Sequence, residues 1–168
     1  MFRGGAIENR LTHPMQLRWD GVLQGGELMA DFKKIEGSCF CGANQFEVTQ
    51  PAVEMHHCHC SICRRLHGAA FVSFAIFPRT GFRWTKGGDL QTFSSSAQIH
   101  RNRCKNCGAT LTVDVDPMPD VLIVTRASMP ADAEPGYPPA TLRHAYWPDH
   151  VPWVELGDKL PRVAGFDK

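Results

Sequence analysis

Seven cysteines fall in three short groups: Cys39 and Cys41 as CxC, Cys58, Cys60 and Cys63 as CxCxxC, and Cys104 and Cys107 as CxxC. Such spacings let thiolates converge on one metal ion, and zinc is the usual occupant of an all-sulfur tetrahedral site. The odd count divides as four plus three. The outer pairs, Cys39/Cys41 and Cys104/Cys107, can close one site with four protein ligands. Cys58, Cys60 and Cys63 can hold a second zinc with one position open. A closed site serves architecture, whereas an open one can do chemistry.

The elements that must position these groups read as short strands. In extended chain, residues i and i+2 share a face, so Cys39 and Cys41 can point at one ion. By the same alternation, Cys58, Cys60 and His56 face one side of the stretch Met55–Cys60, while His57 and His59 face the other. His56 is therefore the better spare-ligand candidate. A short helix is expected over Ser61–His67, ending at Gly68, with Arg64 and Arg65 placed to offset the charge of three thiolates. The stretch 69–77 (AAFVSFAIF) is apolar on both alternating faces and predicts a central strand. Further strands are expected at 44–50, 82–85, 90–94, 99–102, Thr110–Val115, Val121–Thr125 and 142–147, with a turn at the serines 94–96. Trp153, Leu156 and Leu160 fit a short terminal turn or helix packed on the body.

Composition narrows the function classes. The chain of 168 residues carries a formal net charge of +1, so the basic excess of a nucleic-acid binder is missing. The longest apolar run, 68–77, is about half the ~20 residues of a membrane span. With no secretory signal, cysteines point to a reducing cytoplasm, where they remain thiols or bind metal. Residues 1–30 show no period of two or 3.6 and are expected to be an extension, either a flexible arm or the product of a mis-called start. Gly-Gly-Glu-Leu before Met29 fits a ribosome-binding sequence read in frame. Residues 31–168 are expected to form a single zinc domain.

The pieces GSCFCG, HCHCSICRRLHGAAF and RCKNCGATL, followed by RH, PW and LGDKLP near the end, resemble the family of glutathione-dependent formaldehyde-activating enzymes and centromere protein V. The resemblance covers Lys34 to about Val163. It implies a mainly β fold of several small coiled antiparallel sheets stitched by zinc knuckles, similar to that of methionine sulfoxide reductase B. It implies a structural zinc on Cys39, Cys41, Cys104 and Cys107, and a functional zinc on Cys58, Cys60 and Cys63, which would be catalytic as its ligands. The implied partners are glutathione and an aldehyde such as formaldehyde, joined or parted by a carbon–sulfur lyase. Arg64 or Arg65 would bind a glutathione carboxylate. Arg103 stands where the family often has an aromatic residue, and 126–130 (RASMP) differs from the family's usual GTLDDP. Two other readings stay open: a non-enzymatic zinc-binding interaction module, and a redox or zinc-buffering role for the trio.

Overall fold

The computed structural model describes residues 31–87 and 89–166; the expectations for residues 1–30 lie outside it. Two sheets carry the chain. The smaller has the order β1 (Ile35–Ser38), β2 (Gln45–Val48) and β5 (Phe82–Lys86). The larger runs β10-β3-β4-β9-β8-β7-β6. It is built from β3 (Glu54–Cys58), β4 (Val72–Pro78), β6 (Leu90–Ser96), β7 (Ile99–Cys104), β8 (Thr110–Val115), β9 (Val121–Thr125) and β10 (Arg143–Ala145). Neighbours are antiparallel except β10, which pairs parallel to β3 with Ala145 opposite Cys58. No helix among the described residues is long and apolar enough to cross a membrane.

Strand β4 explains the arrangement. It lies between β3 and β9, and its side chains are apolar in both directions because both faces of the large sheet are covered. Ala75 and Phe77 join one core with Ile35, Phe46, Val48, Leu111 and Val124. Phe74 and Ile76 join another with Val72, Val113, Val115 and Ile123. Successive side chains on a strand point to opposite faces, so the sheet separates two cores. Cys39 and Cys104 belong to the first core, Cys58 and Cys63 to the second. Each cysteine group thus has its own apolar bed, on opposite sides of one sheet.

The α-helix α1 spans Ser61–His67 and ends at Gly68, as the sequence leads one to expect. One expectation fails and another holds only in part. The serines 94–96 are not a turn: they complete β6, and the chain reverses beyond them. The terminal segment makes a turn at Pro152–Trp153 and no helix; Leu156 and Leu160 are half-buried, whereas Trp153 is 70% exposed.

Candidate metal centres and their surroundings

The first centre is assembled from two chain reversals. After Cys39, Gly42 has φ 69, and its N–H donates to the Cys39 carbonyl at 3.0 Å. After Cys104, Gly108 has φ 76, and its N–H donates to the Cys104 carbonyl at 2.8 Å. Both positions need the left-handed backbone that glycine adopts without penalty. The result is two matching knuckles facing each other. Cys39, Cys41, Cys104 and Cys107 have sulfur atoms all within 4.8 Å of one another, and they could hold a metal ion. The Cys39–Cys41 sulfur separation is 3.6 Å, and Cys41–Cys104, 63 positions apart in sequence, is 3.7 Å. Tetrahedral zinc with Zn–S of ~2.3 Å requires sulfurs ~3.8 Å apart. The donor set therefore fits zinc in both chemistry and spacing.

The surroundings favour thiolates. The Asn44 N–H donates to Cys39 Sγ at 3.3 Å, and Asn106 Nδ2 donates to Cys41 Sγ at 3.3 Å. Burial pushes the Cys39 thiol up, but the Asn44 N–H and the neighbouring cysteines outweigh it and bring the thiol down to about 6. Cys107 is also lowered, chiefly by the N–H groups of Ala109 and Cys41. Cys104 is raised instead: the N–H groups of Cys107 and Asn106 lower it, but burial and its bonds to Cys107 and Cys39 outweigh them. It is therefore the two lowered thiols that reduce the proton cost of metal binding.

The second group is looser. Cys58 closes β3, Cys60 precedes α1, and Cys63 lies in its first turn. Among the described residues these three sulfurs do not meet the mutual spacing of the quartet. Hydrogen bonds from the Cys58 and Cys63 thiols, then the N–H groups of Cys63 and Ile62, hold Cys60 far below the ordinary thiol range. Cys58 is raised correspondingly, by its bonds to Cys60 and Cys63 and by burial.

The cation beside this group is not one the sequence singles out. Arg101, from β7 and only 6% exposed, donates from Nη2 to Cys63 Sγ at 3.5 Å. Its Nε donates to Ser95 Oγ at 2.9 Å, which is where the unexpected extension of β6 matters. Arg64 instead donates from Nε to the His59 carbonyl at 3.0 Å, and Arg65 is exposed on α1. Among the described residues, His56 is not grouped with the trio at ligand spacing, and its Nε2 is buried without a hydrogen-bond partner. It is fully buried, its Nδ1 lies 3.0 Å from Glu54 Oε1, and Arg143 reaches the same oxygen at 2.9 Å. Its ring packs edge-on against Phe166, and burial lowers its pKa.

The opposite face of β3 holds an array that spacing alone does not reveal. His144 Nε2 lies 3.1 Å from both carboxylate oxygens of Asp158, and its Nδ1 lies 2.9 Å from His59 Nε2. A carboxylate only accepts, so the His144 Nε2–H donates to Asp158. His59 Nδ1 is buried with no partner. Burial first, then the neighbouring His144, lowers His59 to about 4, so it is neutral at pH 7. The Leu160 N–H first, then His144, holds Asp158 below the usual carboxylate range. The backbone of His59 is pinned as well, donating to the Ala145 carbonyl at 2.9 Å. His59 stands between Cys58 and Cys60, so Asp158 and His144 fix the chain that presents both thiols. The signal was in plain sight as the RH and LGDKLP pieces; what it lacked was any local hint of a partner 85 positions away.

The glutathione-dependent formaldehyde-activating enzyme family profile matches residues 34–148. A protein of Phaeosphaeria nodorum, provisionally named as such an enzyme, is 36% identical over 95 residues, covering 55% of this chain and 48% of that protein. One of Pyrenophora teres f. teres with the same provisional name is 34% identical over 109 residues, covering 63% and 50%. The chain spans about half the length of the curated relatives it matches. A crystal structure of a Rhodobacter sphaeroides protein superposes with a TM-score of 0.49 at 24% identity, covering 60% of this chain and 91% of that one.

Proposed function

The chain belongs to the glutathione-dependent formaldehyde-activating enzyme family, and from that premise we propose that it is a zinc-dependent enzyme of carbon–sulfur lyase type. It would act in the cytoplasm on glutathione, or a similar thiol, and formaldehyde or a related aldehyde. Cys39, Cys41, Cys104 and Cys107 would hold a structural zinc that ties the two knuckles together. Cys58, Cys60 and Cys63 would hold the second. The observation that carries the reading is the second group: three free thiols of one short stretch, with the buried Arg101 guanidinium on Cys63. Three ligands leave a tetrahedral ion one position for substrate.

When bound there, zinc supplies a Lewis-acidic position at which a substrate thiol is held as thiolate near neutral pH. The reaction joins the substrate sulfur to the aldehyde carbon, the carbonyl π bond breaks, and the thiol proton ends on the new hydroxyl; the reverse cleaves the carbon–sulfur bond. Three thiolates on one divalent ion leave a net charge of −1, and the Arg101 guanidinium beside Cys63 offsets it. Asp158, through His144, keeps His59 and the flanking Cys58 and Cys60 in place. Arg65, exposed on α1, is the freer of the two arginines to meet a substrate carboxylate, while Arg64 braces the His59 carbonyl.

The test is zinc per chain by elemental analysis, before and after millimolar glutathione and dialysis. Two zincs falling to one is the expected result, with S-hydroxymethylglutathione forming faster than in protein-free controls. Two zincs that never move, with no acceleration of product formation, would make the chain a metal-stitched interaction module instead.

Arg101 gives a separate check. Arg101→Met keeps the apolar stem but leaves Cys63 without its cation. The trio's zinc affinity is expected to fall ~10–100-fold, the range for losing an outer partner of a metal ligand, and Arg101→Lys should restore part of it. A competition titration with a chromogenic chelator reads the affinity; no difference between wild type and Met would remove Arg101 from the site.

A further inference from the structure

The two sheets end in four edge strands: β1 and β5 on the smaller sheet, β10 and β6 on the larger. An edge presents unpaired N–H and C=O groups, and proteins guard it with charges, prolines or covering chain. Three of these edges are guarded. Lys34 and Glu36 stand exposed beside and on β1, and Arg83 and Lys86 stand on β5. Strand β10 is covered by residues 161–163. There the His144 N–H donates to the Pro161 carbonyl at 2.8 Å, and the Val163 N–H to the His144 carbonyl at 2.9 Å. Strand β6 has no such device: from Leu90 to Ile99 the sequence carries no charge and no proline.

The register shows what that edge offers. The Lys105 N–H donates to the Asp89 carbonyl at 2.8 Å, and the β6–β7 register continued by one step sets these two residues opposite each other. They are a bonded pair, and bonded and non-bonded pairs alternate along an antiparallel ladder. Gln91 and Phe93 are therefore bonded to β7, whereas Leu90, Thr92 and Ser94 turn their backbone groups outward. The side chains agree. Thr92 meets Asn102 at 2.8 Å and Ser94 meets His100 at 2.9 Å, across the non-bonded positions where side chains lie closer. Among the described residues no backbone group pairs with the outer side of β6. At mid-strand Phe93 is 43% exposed, with the Arg103 guanidinium 5.6 Å from its ring centroid.

Charge decides the occupant. A charged strand finds no counter-charge along this edge, whereas a second copy of the same strand brings no like charges together. A two-fold axis at Phe93 sets Thr92 of each copy opposite Ser94 of the other, and both residues have their backbone groups turned outward. The same axis sets Phe93 opposite Phe93 at a non-bonded position, where cross-strand aromatic pairs are favourable.

We propose that β6 is a self-association edge: a second copy of this chain adds to it antiparallel about Phe93, and the large sheets of both copies become continuous. One strand per copy is a small contact, so the dimer is weak, with a dissociation constant on the order of micromolar.

Sedimentation equilibrium of the full chain, from about 1 to 200 μM, brackets such an association and is expected to show a monomer–dimer equilibrium. Phe93→Glu sets two carboxylates against each other across the axis, while within one copy Arg103 remains beside the new side chain. It should melt within a few degrees of wild type and associate at least about tenfold more weakly, the combined cost of a lost aromatic pair and a like-charge pair. Phe93→Cys tests the register, because cysteines at facing non-bonded positions are within disulfide reach. Under mild oxidation it should give a covalent dimer on non-reducing gels, well above wild type and above Gln91→Cys, whose cysteine does not meet its own copy. The cysteine variant decides the matter if Phe93→Glu fails to fold. A chain that stays monomeric throughout, a dimer untouched by Phe93→Glu, or equal cross-linking of the two cysteine variants overturns the proposal.

Discussion

Replacing Cys104 by Ser is expected to abolish cooperative folding. Cys104 is fully inaccessible in the first core, and its sulfur sits 3.7 Å from that of Cys41. Losing one of four ligands opens the closed site. Zinc binding in small structural modules contributes ~10–16 kcal/mol, as much as the whole folding free energy of a typical domain, ~5–15 kcal/mol. The consequence should be large because the site closes two knuckles that lie far apart in sequence. Cys39 follows the edge strand β1, and Cys104 ends β7 in the other sheet. Without the ion the two sheets keep only their shared apolar core to hold them together. Circular dichroism melts and limited proteolysis read the effect: no sharp transition, and rapid cleavage within residues 31–50. A variant melting within a few degrees of wild type would mean that the quartet does not hold the fold together.

Replacing Cys60 by Ser should do the opposite. Cys60 is partly exposed and packs only at the margin of the second core, so serine costs little in stability. Its neighbours hold its thiol well below the ordinary range. Its loss removes one of the three ligands of the trio. The expected protein melts close to wild type, holds one zinc fewer, and loses product formation by at least ~100-fold, more than removing an outer partner costs. The pair of variants is more telling than either alone. Folding lost with Cys104 and function lost with Cys60 would establish four plus three; equal melting of both would contradict it.

The ease with which these groups were found in the sequence has a physical basis. CxC and CxxC encode convergence within one extended segment or one knuckle, where covalent geometry leaves few options. The helix at Ser61–His67 and the central strand β4 were legible for a similar reason, one stopped by Gly68 and the other apolar on both faces. The serines 94–96 misled because their composition suits a turn, yet β7 supplies a pairing partner and Arg101 a use for the Ser95 hydroxyl.

Arg101 and Arg64 show where local reasoning ends. From sequence, the arginine beside the cysteine is the natural counter-ion; in the fold it turns to a backbone carbonyl, and a residue 38 positions from Cys63 takes the place. His56 shares the cysteine side of β3 by alternation, but a neighbouring strand brings Arg143 to Glu54 and closes that pocket around the imidazole.

By itself, then, the sequence determined which cysteines group together, that the chain is mainly β, and which segments turn. Those properties depend on spacings of one to four residues. Only the tertiary structure decided which cation meets the trio, that Asp158 and His144 brace His59, that the two centres lie on opposite faces of one sheet, and that β6 leaves an open edge. Each of these depends on strand order and register, and a shift of one residue would turn every side chain involved to the other face. Such partners are set by the packing of the whole chain, so no local stretch of sequence contains them.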